Sequence, residues 1–185
     1  MLSRHLYAAA AAVALIAWSG AALAADLRWY SYDPATPQTK KLTGGLTFEL
    51  DPGMLKMKNK VQRLFSTKGE AVAELKPADG GPISGAALRA TIGDAGERTL
   101  YAVSPEKHGG ALARALCKGQ SQAWMAFSPV RRNERLTVHV LALDPEAGNQ
   151  PFLCATLDYK FRGEWKLPPK RVNRIDDAPV RDPRL

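Results

Sequence analysis

Short stretches in which apolar and polar residues alternate recur from residue 27 to residue 159, separated by clusters rich in Gly, Pro and Asp. A period of two sends successive side chains to opposite faces of a strand. By that reading 27–32, 46–50, 71–75, 86–92, 99–103, 123–127, 136–143 and 152–159 are candidate strands. In the first, Leu27 and Trp29 point one way, and Arg28, Tyr30 and Tyr32 the other. Pro77 to Pro82 and Gly93 to Gly96 have turn chemistry, and the second is short enough for a hairpin. The loop 33–45 is polar and carries two prolines.

Helical spacing competes at two places. Ser104-Pro105-Glu106 combines a cap, a proline suited to the first turn and an acid at the positive end of the dipole. Ala111, Leu112, Ala115 and Leu116 then form one apolar face, and Gly119 is a left-handed stop. Gly109-Gly110 weakens the first turn, so the regular helix can begin there. Over 51–66, Asp51 and Pro52 make a helix start, with Met54, Met57, Val61, Leu64 and Phe65 at helical intervals. Residues 55–61 also alternate, with Lys56, Lys58 and Lys60 on one face. Cap and length favour the helix; either form yields a cationic surface. The expected fold class is α+β: a mainly antiparallel, curved sheet of six to eight short strands, with helix 104–118 packed on it and 51–66 as the second candidate helix.

The ends differ from this middle. Arg4, the apolar run 6–18, a Ser19-Gly20 break and Ala22-Leu23-Ala24 have the form of a cleavable export signal, 1–24. The apolar run is short of the roughly 20 residues of a membrane-spanning helix. No Cys follows the cleavage site to take a lipid, and no twin-arginine pair is present. No transmembrane span is expected after processing. Residues 167–185 hold four prolines and alternating Arg and Asp, too little apolar content to bury a core, and are expected to be a disordered basic tail. Residues 25–166 are left as one domain.

The two cysteines, Cys117 and Cys154, both follow the signal. In an oxidising compartment they are expected to form one disulfide, tying the end of the helix to the last strand. A thiol nucleophile would need a nearby histidine base. His108 lies nine residues before Cys117, and nothing in the sequence brings His139 to Cys154. The histidines and cysteines lack the close paired spacing of a zinc site, and no nucleotide or hydrolase motif occurs. No catalytic residue, cofactor or metal is therefore expected.

Net charge changes the picture more. The chain carries +8, about +7 without Arg4, which in an exported protein points away from nucleic acid and towards anionic envelope components. The expected function is that of a periplasmic or secreted non-catalytic binding or accessory protein. It would meet an anionic envelope component or an envelope protein through Lys56, Lys58, Lys60 and Arg63 or through Arg131, Arg132 and Arg135. A second candidate surface is aromatic, Tyr30 and Tyr32 beside Arg28, competing with a role for both rings in the core. The alternative function is a small envelope-polymer hydrolase. Its candidate carboxylates, Glu49, Asp51, Asp94, Glu97 and Asp158, are too scattered to assign.

Overall fold

Every alternating stretch that forms a strand pairs with the strand that precedes or follows it. The computed structural model describes residues 27–51, 60–68, 71–93 and 98–166. Among these, β1 (Arg28–Pro34), β2 (Leu46–Asp51), β3 (Lys60–Ser66), β4 (Val72–Pro77), β5 (Thr99–Val103), β6 (Trp124–Phe127), β7 (Leu136–Asp144) and β8 (Gln150–Lys166) form an antiparallel meander. β8 returns to β1, from Arg28↔Lys166 to Pro34↔Tyr159, and closes a barrel. The sheet is antiparallel and curved as expected, but it has no free edges: closure pairs both outer strands.

An eight-stranded barrel is just wide enough for side chains to fill, and here aromatic rings fill it. Tyr101 stacks on Phe127 at 4.8 Å, Phe127 meets Phe48 at 5.4 Å, and Phe48 meets Tyr32 edge-on at 5.9 Å. Phe161 continues the series, 5.6 Å from both Tyr32 and Tyr30. Leu46, Leu50, Leu64, Val138, Val140 and Leu157 pack around this ladder with almost no exposure. The lumen is thus a core, not a ligand chamber.

In a meander, alternate connections fall at the same end. α1 (Pro37–Leu42) joins β1 to β2 and α3 (Gly109–Leu116) joins β5 to β6, so both lie at one end, with the β7–β8 hairpin. Leu112, Ala113 and Leu116 of α3 belong to the lumen core and plug that end. Gly109 is required there: a Cβ would sit 1.7 Å from the Ser104 carbonyl oxygen. α2 (Gly85–Ile92) lies outside the barrel, with Leu88 and Ile83 against Leu100, Trp124 and Leu141.

Several expectations need correction. Residues 85–92 are helix, not strand: the Ser84 hydroxyl accepts from the Ala87 amide at 3.1 Å, and the run of alanines suits either period while favouring helix by propensity. The polar loop after β1 contains α1, capped by Thr36 through the Thr39 amide with Pro37 following. The helix favoured over 51–66 is not formed over 60–66, which is β3; 52–59 lie outside the described residues. The register explains the misreading. Glu49 pairs with Arg63 but Leu50 with Val61, so Gln62 is a bulge that puts Val61 and Leu64, three apart, on one face. Within 104–118 the helix begins at Gly109, where the weakened first turn allowed it to, but its N-cap is His108 and not Ser104. β8, at 17 residues, runs well beyond the expected 152–159. The signal segment and the tail 167–185 lie outside the described residues.

Candidate functional site

The end of the barrel opposite α1 and α3 gathers the start of β1, the end of β8 and the β6–β7 connection, residues 128–135. Register decides what faces this mouth. Ser31 pairs with Gly163 and Tyr32 with Phe161, leaving Arg162 as an extra residue. That bulge inverts the alternation. Phe161 shares the lumen face with Tyr32, Glu164 shares it with Tyr30, and Trp165 is turned outward beside Trp29. Phe161, Arg162, Gly163 and Glu164 thereby line a cleft of about 650 Å³ with Arg28, Arg132 and Asn133.

The connecting loop is held over the mouth from within. Tyr32 donates through its hydroxyl to the Arg131 carbonyl at 2.8 Å, Val130 is buried in the lumen core, and Asn133 takes the left-handed conformation (φ 61°) that asparagine tolerates. Burial pushes the Tyr32 phenol well above the usual tyrosine range, so it remains a donor at any physiological pH.

Glu164 sits at the centre of the cleft, its side chain 14% exposed. Arg28 Nε lies 3.8 Å from its Oε1, and Arg132 Nε 3.8 Å from its Oε2. These are ion pairs at a distance too long for hydrogen bonds. Arg28 Nε and Glu164 Oε1 are in fact buried with no hydrogen-bond partner among the described residues. Arg162 lies 3.6 Å from Asp33, both well exposed, a pair that solvent screens. Arg28 and Arg132 thus flank one carboxylate, while Arg162 lines the cleft with its guanidinium beside Asp33.

The expected site residues fall in different places. Arg28 and Arg132, expected on separate surfaces, come together here. Arg131 and Arg135 are exposed on the same loop, Arg131 3.7 Å from Glu134. Tyr30 and Tyr32 do not form an exposed recognition surface with Arg28; they are lumen residues at 4% and 1% exposure, because their face of β1 is the inner one. Arg63 is not a free surface cation. Its Nε and Nη2 donate to Glu49 Oε1 at 3.0 and 2.8 Å, on the outer face of β2 and β3. Lys60 opens β3, and Lys56 and Lys58 lie outside the described residues.

Arg162, Asn133, Phe161 and Glu164 were missed. The alternation of Lys160, Arg162, Glu164 and Lys166 with Phe161, Gly163 and Trp165 continues the last strand up to the Pro168-Pro169 stop and was the signal available for them.

Cys117 and Cys154 form the expected disulfide. Val140 pairs with Ala155 but Leu141 with Leu153, so Cys154 is itself a bulged residue turned towards the plugged end. Both thiols are thereby committed, and the described residues include no group of three or more His, Cys, Asp or Glu that could hold a metal. Of the scattered carboxylates, Glu49 is held by Arg63, Asp51 accepts from Gln62 at 3.1 Å, and Asp158 accepts from Thr137 at 2.7 Å. None lines the cleft; Asp94 and Glu97 lie outside the described residues. No described helix is long and apolar enough to cross a membrane. Comparison with protein-family models, with curated proteins and with solved structures finds no match for this chain.

Proposed function

We propose that this chain is an exported, non-catalytic binding protein of the cell envelope that receives an anionic group of an envelope component, or of an envelope protein, in the Arg28–Arg132–Arg162 cleft. The observation that carries this reading is that Arg28 of β1, Arg132 of the β6–β7 connection and Arg162 of β8 line one concave site, with Arg28 and Arg132 on either side of Glu164. Clefts of a few hundred Å³ are the usual scale of ligand sites, and guanidinium forks match the geometry of phosphate and carboxylate oxygens. The export signal in the sequence and the Cys117–Cys154 bond support an oxidising compartment such as the periplasm. The test is co-sedimentation of the intact protein with isolated envelope fragments. Binding is expected to fall steeply between low and physiological salt, and to be lost in Arg28→Gln/Arg132→Gln while thermal unfolding stays cooperative. Binding that ignores both salt and the two arginines overturns the reading.

A further inference from the structure

The rim of the barrel beside the cleft carries an apolar ring that the fold does not bury. Trp165 is 46% exposed, and among the described residues the other exposed large apolar side chains, Phe152 and Leu153, lie towards the plugged end. Trp165 pairs with Trp29 one register step from Arg28↔Lys166, so it stands at the rim, on the outer face. Its Nε1 donates to Ser31 Oγ at 3.0 Å, and Ser31 Oγ lies 2.9 Å from Thr47 Oγ1. The only polar atom of the indole is thereby committed to the barrel, and what remains exposed is apolar. Trp29 lies beside it and stacks on Phe65 at 4.6 Å, so the ring projects from a firm base.

Cations stand at the same rim. Arg28 and Arg132 both lie 3.8 Å from Glu164, the residue before Trp165, which ties β1, the connecting loop and the indole to one edge. Arg28, Arg131, Arg132 and Arg135 against Glu134 and Glu164 leave an excess of two positive charges, and the Arg162–Asp33 pair adds none. The Arg131 and Arg132 side chains are 56% and 67% exposed, open to a partner without rearrangement. A protein interface would be expected to centre on a cluster of apolar contacts, yet Trp165 is the only large apolar side chain exposed at this end among the described residues. Diffuse negative charge above an apolar layer is what a bilayer of anionic lipids presents, and tryptophan is enriched at that boundary. Resting on the anionic reading above, we propose that this rim docks on an anionic phospholipid bilayer. The arginines lie among the headgroups, and Trp165 enters the boundary between headgroups and acyl chains.

Vesicles of phosphatidylcholine with and without phosphatidylglycerol test this, using the protein freed of residues 1–24, whose apolar run would itself bind lipid. Capture is expected only by the vesicles that contain phosphatidylglycerol. Arg28→Gln, Arg131→Gln and Arg132→Gln should each weaken it about fivefold at low salt, and Trp165→Ala about tenfold, while unfolding midpoints show that the barrel persists. Trp29 and Trp124 are buried, so quenching by phosphatidylcholine brominated on its acyl chains reads Trp165, and Trp165→Phe should abolish it. This readout needs no variant to show insertion in the unaltered protein. Equal capture by both vesicles, capture by neither, capture without quenching, or undiminished capture of Trp165→Ala overturns the bilayer. Arginine-dependent binding to envelope fragments without capture by vesicles leaves the anionic reading standing with a protein or polymer as the partner. Loss of both removes the two proposals together.

Discussion

The hydroxyl of Tyr32 donates to the carbonyl of Arg131 across 2.8 Å, joining the first strand of the barrel to the loop that carries Arg132 and Asn133 of the cleft. Tyr32→Phe keeps the ring in the aromatic ladder and removes only this bond. The expected loss of stability is about 0.5–1.5 kcal/mol, with some added for the carbonyl left unpaired. Anion binding should weaken more than stability does, because Arg132 loses its anchor. Urea unfolding beside calorimetric titration with inorganic phosphate checks both.

Glu49 and Arg63 form a close ion pair on the outside of the barrel, with Arg63 donating twice to Oε1 and Glu49 only 1% exposed. Removing the cation strands the carboxylate, so Arg63→Met should cost about 3–5 kcal/mol. Glu49→Gln/Arg63→Met should recover much of that, since no buried charge is left alone. A denaturation double-mutant cycle reads the coupling; equal losses in the single and double variants would show that the pair is not coupled.

The disulfide closes a loop of 37 residues, for which the chain-entropy account gives about 4 kcal/mol. Alkylation should find two thiols only after reduction. Cys117→Ala/Cys154→Ala should lower the unfolding midpoint without changing phosphate binding, because the bond and the cleft lie at opposite ends of the barrel.

His139 provides a pH dependence. Burial depresses its pKa, Arg98 adds to this, and Asp158 opposes it; its Nδ1 lies 3.3 Å from the Thr156 hydroxyl and its Nε2 is buried without a partner among the described residues. A depressed folded-state pKa means that folding favours neutral imidazole. This contribution is complete above the unfolded value of about 6.5 and is lost as pH falls through the folded one. Stability measured from pH 8 down to pH 5, over the range of about 6.5 and below, should decline, and His139→Gln should flatten the decline.

Much of the architecture was legible because period two is a local property. The strands around residues 46–50, 99–103, 124–127 and 136–143 lie where alternation placed them. Bulges defeated the same logic. At Gln62 one extra residue imitated helical spacing, and at Arg162 one extra residue exchanged the inward and outward roles of Glu164 and Trp165. Closure was illegible for a different reason: nothing local in Arg28 or Lys166 states that they pair. The cleft depends on both effects. Arg28 and Arg132 were recognisable as cations, but their convergence on Glu164 required a bulge and a long-range pairing together. For Tyr30 and Tyr32 the sequence left a core role beside a recognition surface with Arg28, and burial in the lumen decides for the core.

β8 is the only described strand that both completes the meander and closes it: Tyr159 pairs with Leu136 of β7 and Pro34 of β1, with β7 along its first half and β1 along its second. Of the described strands, a ribosome supplies this one last. Until residue 166 has been made, β1 has no second partner, and the aromatic ladder lacks Phe161, the ring that joins Tyr30 to Tyr32. Closing such a distant pair requires loop entropy to be overcome before any contact rewards it. Closure of the barrel therefore has to wait for the last of the described strands, and with it the pairing that leaves the sheet without an edge.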